Sequence, residues 1–572
     1  MIEKKLKPLQ RFFNMLKIEK QEIFSIYIYA IFNGIISLSL PLGIQAIINL
    51  ITGGQVSTSW ILLTCLVIIG IALSGTLQIM QLIITENLQQ KIFTRSAFEF
   101  AFRIPKIKIE AIGKYHLPEL VNRFFDTLSV QKGLSKILMD FSTASLQVIF
   151  GLALLSLYHP FFILFSVLLI GSVYLIFKFT WSKGLSTSIK ESKHKYEVAH
   201  WLEEMARTME TFKMAGNTPL PLNKTDQLVS NYLIARKKHF RTLVIQYINL
   251  IGFKVIVAAG LLIIGGLLVL NQQMNIGQFV ASEIIIILIL ASVEKLIVSM
   301  ETIYDVLTAI DKIGDFTDIP LQRNSGRELA NTDKNAIDIR IIDLSYKYSN
   351  VELPAIQNIN LSITAGSKIA ISGSNASGKS TLLHLISGFY EKYDGAITYN
   401  NIPLTNINIA ALHTVIGDNL SKDEIFQGTF AENISLGRKN VEFEEINEII
   451  KILDLTPFVN KLPFGIDTLL IPEGKDISKS VRLKIMLARA VVGKPKLIVL
   501  DDNFNQLLPK DRQLFIEHVL KMPCTVLAIS NSLEIAQQFD SVLVLKNGEV
   551  IAKGKAKDLE QNDWFKTTFY KS

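Results

Sequence analysis

Nine residues, Gly373-Ser374-Asn375-Ala376-Ser377-Gly378-Lys379-Ser380-Thr381, combine glycines, one lysine and hydroxyls at a spacing that serves phosphate chemistry. The glycines let the backbone turn its N–H groups inward around a polyphosphate. Lys379 reaches the outer phosphates, and the Ser380 hydroxyl offers a hard oxygen to magnesium. An apolar run, Ile369-Ala370-Ile371, precedes the loop, and Leu382-Leu383-His384-Leu385-Ile386 follows it in a helical pattern. Strand, loop and helix are the context this chemistry requires, so a chance Gly-Ser loop is a poor alternative. A second apolar run, Lys496-Leu497-Ile498-Val499-Leu500, ends in Asp501-Asp502. A carboxylate at the end of such a strand is where a phosphate-loop enzyme holds its metal, which makes Asp501 the magnesium candidate.

The elements around these residues are short β-rich runs alternating with helical stretches, including Lys368–Ser372, Leu497–Leu500, Thr525–Ile529 and Val542–Leu545. They predict an α/β nucleotide domain over 337–572. A lax segment with Pro320, Asn324, Gly326 and Asn331 precedes it and predicts a linker over 315–336. The first 300 residues read differently. Near-charge-free runs cover Ile23–Leu50, Trp60–Thr85, Phe141–Leu157, Phe161–Phe177, Leu243–Leu270 and Ile276–Val293. With their flanks these reach the roughly 20 residues that a bilayer-crossing helix needs, predicting an all-α domain of six spans over 23–314.

Charge placement favours a membrane over a large soluble helical core. The connections Thr52–Ser59, Tyr158–Pro160 and Asn271–Asn275 carry no Lys or Arg, whereas Lys4, Lys5, Lys7, Arg11, Lys91, Arg95, Arg103, Arg236, Lys237 and Lys238 lie on the other side. The positive-inside rule places both termini in the cytoplasm. The net charge of +8 then follows topology; no basic groove with interleaved aromatics suggests nucleic acid. Residues 1–22 are Lys-rich, with Leu9, Phe12, Phe13, Met15 and Leu16 at helical spacing. This predicts an amphipathic helix at the inner leaflet, not a cleavable signal. Cys65 and Cys524 alone imply no disulfide or metal framework. The long polar connections Glu86–Lys136 and Lys178–Arg241 contain few helix breakers, so the spans are expected to continue beyond the bilayer. They would turn back near Ala111–Pro118 and Met214–Pro219, the candidate contacts with the nucleotide domain.

The chain resembles an ATP-binding cassette exporter of the half-transporter type, six spans fused to one nucleotide-binding domain, over nearly its whole length. Beyond the phosphate loop, the resemblance rests on Tyr348 in Leu344-Ser345-Tyr346-Lys347-Tyr348, matching the aromatic that stacks on adenine. It rests also on Phe426-Gln427-Gly428-Thr429 with Glu432-Asn433-Ile434, on Leu487-Ala488-Arg489-Ala490, and on Val544-Leu545-Lys546-Asn547-Gly548-Glu549. The order and spacing of these motifs is highly specific. The resemblance implies ATP and magnesium as ligands, a second half-transporter as partner and a bacterial inner membrane as location. Type I secretion, lipid and peptide exporters are the closest in layout; the first would add a periplasmic adaptor and an outer-membrane channel.

The departures from the family pattern concern hydrolysis. The signature Leu-Ser-Gly-Gly-Gln, which pins the γ-phosphate held by the opposite subunit, reads Ile477-Ser478-Lys479-Ser480-Val481, so only Ser478 survives to act in trans. Lys479 either offers charge to a phosphate or is a solvated side chain. The catalytic glutamate aligns with Asp502, one methylene shorter; displacement by about 1 Å can cost on the order of 100-fold in rate. The switch histidine aligns with Asn531, which donates a hydrogen bond but cannot titrate. The glutamine that couples magnesium to the membrane domain aligns with Ser421, the inter-subunit aspartate with Leu508, and a loop glycine with Ala376.

Three functions fit these residues: a slow homodimeric export ATPase, an ATP-binding but poorly hydrolysing subunit beside an intact partner, and a membrane regulator that uses ATP as a ligand. Six spans with long extensions favour transport. No peptide-trimming domain is expected before the first span. Within the spans, Lys254 and Glu294 fall at similar depths on adjacent helices and are expected to pair. Glu283 lacks an evident partner. It is the translocation-path candidate, against the simpler reading of a glutamate reaching interfacial water. Pro41 and Gly43 are expected to bend the first span.

Overall fold

The computed structural model describes residues 6–52, 58–112, 117–329, 335–349, 351–420, 425–560 and 569. It divides into two compact units, Met1–Lys106 with Ile112–Ile319, and Ile107–Ala111 with Pro320–Ser572.

Among the described residues the first unit holds six helices long and apolar enough to span a membrane: Lys20–Thr52, Thr58–Lys106, Pro118–Ser156, Phe161–Arg207, Leu220–Leu270 and Ile276–Thr317. The fourth is a continuous helix of 47 residues, about 70 Å at 1.5 Å per residue and more than twice the hydrocarbon thickness of about 30 Å. The sixth is the spine of the bundle, burying Ala281, Ile285, Ile289, Val293 and Ile297 along its length. The second turns Leu62, Leu66, Ile69 and Leu73 outward, as a helix facing lipid must. The helix expected near the N-terminus spans Pro8–Ile18. Its Arg11 forms a two-pronged ion pair with Asp318, just beyond the sixth span. That span runs to Thr317, into the stretch expected as linker.

Close helix contacts in this unit depend on small residues. The first span breaks at Leu38, where the ring of Pro41 interrupts the helical ladder. A β-carbon at Gly43 would overlap Val67, and one at Gly70 would press on Ser39, so the first two spans touch backbone to side chain. On the fourth span, Gly184 leaves room for the ring of buried Tyr304 from the sixth. The Tyr304 hydroxyl accepts a bond from Gln246 Nε2 at 2.9 Å and donates to the Thr180 carbonyl at 3.4 Å. Lys254 Nζ meets Glu294 Oε2 at 2.5 Å between the fifth and sixth spans, the pairing expected from their depths. Between the fourth and fifth spans the chain turns at Gly216, with φ +74°.

The second unit is an α/β domain with three sheets among the described residues. β1 (Ile339–Tyr346), β2 (Ile356–Ile363), β4 (Asp394–Tyr399) and β5 (Ile402–Pro403) form an antiparallel sheet in the order β2-β1-β4-β5. β3 (Lys368–Gly373), β6 (Ile416–Asp418), β9 (Leu497–Leu500), β10 (Thr525–Ile529), β11 (Ser541–Lys546) and β12 (Glu549–Gly554) form the central sheet, ordered β12-β11-β3-β10-β9-β6. β7 (Gly428–Thr429) and β8 (Leu469–Leu470) pair separately. Every residue of β3, β9 and β10 is buried. Continuous apolar runs without alternation suit parallel strands covered on both faces. The helix Lys379–Ile386 packs its leucines between the two large sheets. The helices Lys479–Val491 and Pro509–Lys521 close the other face of the central one.

The segment Ile107–Ala111 belongs to this second unit. Lys108 Nζ lies 2.8 Å from Glu391 Oε2, and Glu110 Oε1 accepts the backbone N–H groups of Glu391 and Lys392 at 2.9 and 3.0 Å. The turn expected at Ala111–Pro118 has its centre, 113–116, outside the described residues.

The glycine contacts carry a test. Gly184→Val forces a methyl group into the Tyr304 ring and should destabilise the first unit by about 1–3 kcal/mol, the usual cost of overpacking. Gly171→Val, where a β-carbon meets nothing within 4 Å, should leave stability unchanged. Thermal unfolding of both variants in nanodiscs measures the difference.

Candidate nucleotide site

The phosphate loop leaves the C-terminal end of β3. Gly373 has φ +152° and a β-carbon there would collide with the Leu545 carbonyl; Gly378 has φ +97° and lies against the Ala355 carbonyl. Both positions therefore need glycine. Ala376 has φ +62°, the left-handed region that costs an L-residue about 1 kcal/mol. The helix Lys379–Ile386 begins immediately after, so its free N–H groups face the loop. Ser377 is buried, and its Oγ has no hydrogen-bond partner among the described residues. A buried hydroxyl without a partner among the described residues, just before the start of that helix, fits a phosphate oxygen.

Lys379 Nζ donates to the carbonyls of Gly373 and Ser374, both at 2.8 Å, folding its charge over the loop. Burial pulls its pKa below the ordinary lysine value, and Asp502 and Asp501 partly oppose that pull. Thr381, on the first helical turn, meets the Tyr348 hydroxyl at 3.0 Å. Tyr348 is half-buried, its ring edge-on to Tyr346 at 5.0 Å and to Tyr390 at 5.8 Å. The aromatic aligned with the adenine-stacking position thus stands beside the loop.

The ladder between β9 and β10 carries Asp501 to the same end of the sheet. Ser380 Oγ donates to Asp501 Oδ1 at 3.2 Å. These two hard oxygens fit magnesium, which prefers oxygen ligands and brings its own waters. Ser421, the third residue aligned with metal binding, lies outside the described residues. Asp502 follows at the rim, its N–H bonded to Asp501 Oδ1 at 2.9 Å. Partial desolvation first, and the neighbouring Asp501 charge second, raise its pKa above the ordinary aspartate value.

Sequence reasoning passed over two side chains. Asn419 Oδ1 accepts the Asp501 N–H at 2.6 Å, and Asn419 Nδ2 is buried without a partner among the described residues. Ser372 Oγ donates to Asn531 Oδ1 at 2.9 Å. Neither position stands out in the chain, because the β6–β9 and β3–β10 registers bring them in. Asn531 itself lies against the start of the loop. Ser478 is not part of this constellation. It caps the helix Lys479–Val491, its Oγ accepting the Val481 N–H at 3.3 Å, and it is exposed together with Lys479 and Ser480. Glu283 is half-buried on the sixth span and makes no ion pair among the described residues.

Residues 356–505 match the family described as ABC transporter, and residues 23–293 match the ABC transporter transmembrane region. The chain is 30% identical over 262 residues to an uncharacterized ABC transporter ATP-binding protein, YfiB, of Bacillus subtilis, a match covering 46% of this chain and 45% of the relative. It is 25% identical over 458 residues to the transport/processing ATP-binding protein ComA of Streptococcus pneumoniae, covering 78% of this chain and 64% of ComA. The chain spans between 44% and 66% of the lengths of the curated relatives it matches. Its fold matches that of a bacterial Atm1-family ABC exporter with ATP bound, with a TM-score of 0.77 over 96% of this chain and 98% of the other at 16% identity. With a six-helix transmembrane region and an α/β nucleotide-binding domain of that family in one polypeptide, the chain belongs to the ABC transporter family.

Proposed function

We propose that two halves of this kind form a dimeric exporter in a bacterial inner membrane, with both termini in the cytoplasm, and that this chain binds ATP well but hydrolyses it slowly. The observation that carries the reading is the contrast within one pocket. The loop, Lys379 and the Ser380–Asp501 pair are in bonded register. The parts expected to act on the γ-phosphate are altered at Asp502, Asn531 and the Ser478-Lys479-Ser480 helix start.

In this reading Gly373 to Thr381 wrap the phosphates, and Lys379 exchanges the Gly373 and Ser374 carbonyls for phosphate oxygens. Tyr348 stands at the adenine. Ser380 and Asp501 would hold magnesium, which when bound neutralises phosphate charge. A water attacks the γ-phosphorus in line while the bond to the β–γ bridging oxygen breaks; Asp502 takes the water's proton. Its shorter side chain sets the carboxylate back from the water, which accounts for a slow step. Ser478 serves the pocket of the opposite half. Glu283, in the sixth span and without an ion pair among the described residues, faces the cargo path. A periplasmic adaptor and outer-membrane channel complete the route if the cargo is secreted.

A second reading rests on Lys479 and Ser480 replacing the two signature glycines: the chain binds ATP beside a partner half with intact motifs that performs most of the turnover. ATP binding and hydrolysis by the purified chain in nanodiscs separate the two. Hydrolysis above background that both Lys379→Ala and Asp502→Asn abolish supports the self-sufficient dimer; binding without turnover in any variant overturns it.

Three outcomes follow for the first reading. Lys379→Ala should weaken ATP binding by about 30-fold or more, equivalent to about 2 kcal/mol, read by equilibrium titration. Asp502→Glu should raise turnover by about tenfold or more, because it restores the missing methylene. In the unaltered chain, activity should rise with pH as Asp502 loses its proton. That limb should lie above the ordinary aspartate range because its pKa is raised, and no imidazole step should appear near neutrality. A rate profile from pH 4 to 8, pH values chosen as about the range of carboxylate and imidazole titration, reads it.

A further inference from the structure

The parallel ladder pairs Ile529 of β10 with Ile371 of β3, so the residues that follow, Asn531 and Gly373, leave the sheet side by side. Three hydrogen bonds join Asn531 to the end of β3, two to Gly373 and one to Ser372. Asn531 Oδ1 accepts the Gly373 N–H at 3.2 Å and the Ser372 hydroxyl at 2.9 Å, and Asn531 Nδ2 donates to the Gly373 carbonyl at 3.2 Å. A backbone N–H can only donate and a carbonyl can only accept, so the orientation of the carboxamide is fixed by its partners.

We propose that Asn531 is a positioning residue that anchors the phosphate loop at Gly373, and that it does so whether or not a γ-phosphate is present. The inference rests on the reading of this pocket as an ATP site and assigns a role that the alignment with a γ-phosphate-sensing histidine does not.

The chemistry of the side chain supports it. Oδ1 has two lone pairs and both are used; one of the two Nδ2 protons is used as well. The anchored point matters because Gly373 is where the chain swings from strand to loop, with φ +152° and the Leu545 carbonyl packed against it. Gly373 O also receives Lys379 Nζ at 2.8 Å. The lysine leaves that carbonyl to reach a phosphate, and the Asn531 amide remains to satisfy it. An imidazole cannot make the same set, having one in-plane acceptor lone pair where the carboxamide oxygen has two. A carboxylate cannot donate to Gly373 O. The anchor also connects to the residues after Asp502: Ser530 Oγ donates to Asn505 Oδ1 at 3.4 Å and accepts the Ser532 N–H at 3.2 Å.

Two measurements on the full chain in nanodiscs test the assignment. In the first, with no nucleotide present, amide hydrogen exchange should speed up at Gly373 in Asn531→Ala, by about fivefold or more for the loss of bonds worth about 1 kcal/mol each, while β10 keeps its protection. Unchanged exchange at Gly373 overturns the proposal. Ser372→Ala removes a single donor to Oδ1 and should act in the same direction with a smaller size. If Asn531→Ala loses protection throughout the domain, Ser372→Ala decides the matter, and no acceleration at Gly373 in it is equally fatal.

In the second, ATP and ADP affinities are compared. The loop cradles phosphates that both nucleotides share, so Asn531→Ala and Asn531→His should weaken both by the same factor. A loss confined to ATP makes Asn531 a γ-phosphate sensor and refutes the anchor. Should the unaltered chain bind neither nucleotide, the ATP reading of the pocket fails, while the exchange experiment still judges the anchor on its own.

Discussion

The parallel hydrogen-bond register at the centre of the nucleotide-binding domain decides where every charged group of the pocket stands. β3 lies between β10 and β11, and β9 follows on the far side of β10. Because parallel strands end on the same side, the loop after Gly373, the carboxylates after Leu500 and the amide after Ser530 emerge at one edge. Lys379, Asp501 and Asn531 are distant in the chain, and only the ladder brings them within bonding range of one loop. A slip of one residue between β3 and β10 would turn every side chain to the opposite face.

The pocket contains an imbalance that the fold sustains. Ala376 occupies a left-handed conformation, Ser377 Oγ and Asn419 Nδ2 are buried without partners among the described residues, and Lys379 is held over carbonyls in a partly desolvated position. Groups of this kind are costly in a finished core. They persist because the buried strands β3, β9 and β10 and the helix Lys379–Ile386 leave the loop little freedom to relax. The Ser377 hydroxyl and the Lys379 ammonium are donors that phosphate oxygens would satisfy.

The membrane half follows a different logic. Lipid supplies no hydrophobic drive for helix association, so contact there depends on shape and on internal polar bonds. The Gly43–Val67 and Gly184–Tyr304 contacts supply shape. The Gln246–Tyr304–Thr180 chain and the Lys254–Glu294 pair supply the polar bonds. The sixth span carries buried residues along its length and takes part in three of these contacts.

Much of this could be read in the chain itself. A run of about 20 apolar residues has few fates other than a bilayer, so the spans were legible from composition alone. The phosphate loop was legible because its glycines, lysine and hydroxyl are contiguous and need only a strand before and a helix after. The pairing of Lys254 with Glu294 followed from counting along antiparallel helices. What stayed hidden depends on contacts between distant segments. Asn419 and Ser372 are unremarkable polar residues until the β6–β9 and β3–β10 registers place them against Asp501 and Asn531. Asn531, aligned by sequence with a residue that meets the γ-phosphate, is bonded in the structure to the root of the loop. The sequence by itself determined the local elements and the chemical groups on offer, because periodicity and motif spacing are short-range. Only the tertiary structure decided which of those groups meet, because hydrogen bonds reach about 3 Å and partners such as Ser372 and Asn531 in the pocket lie 159 residues apart.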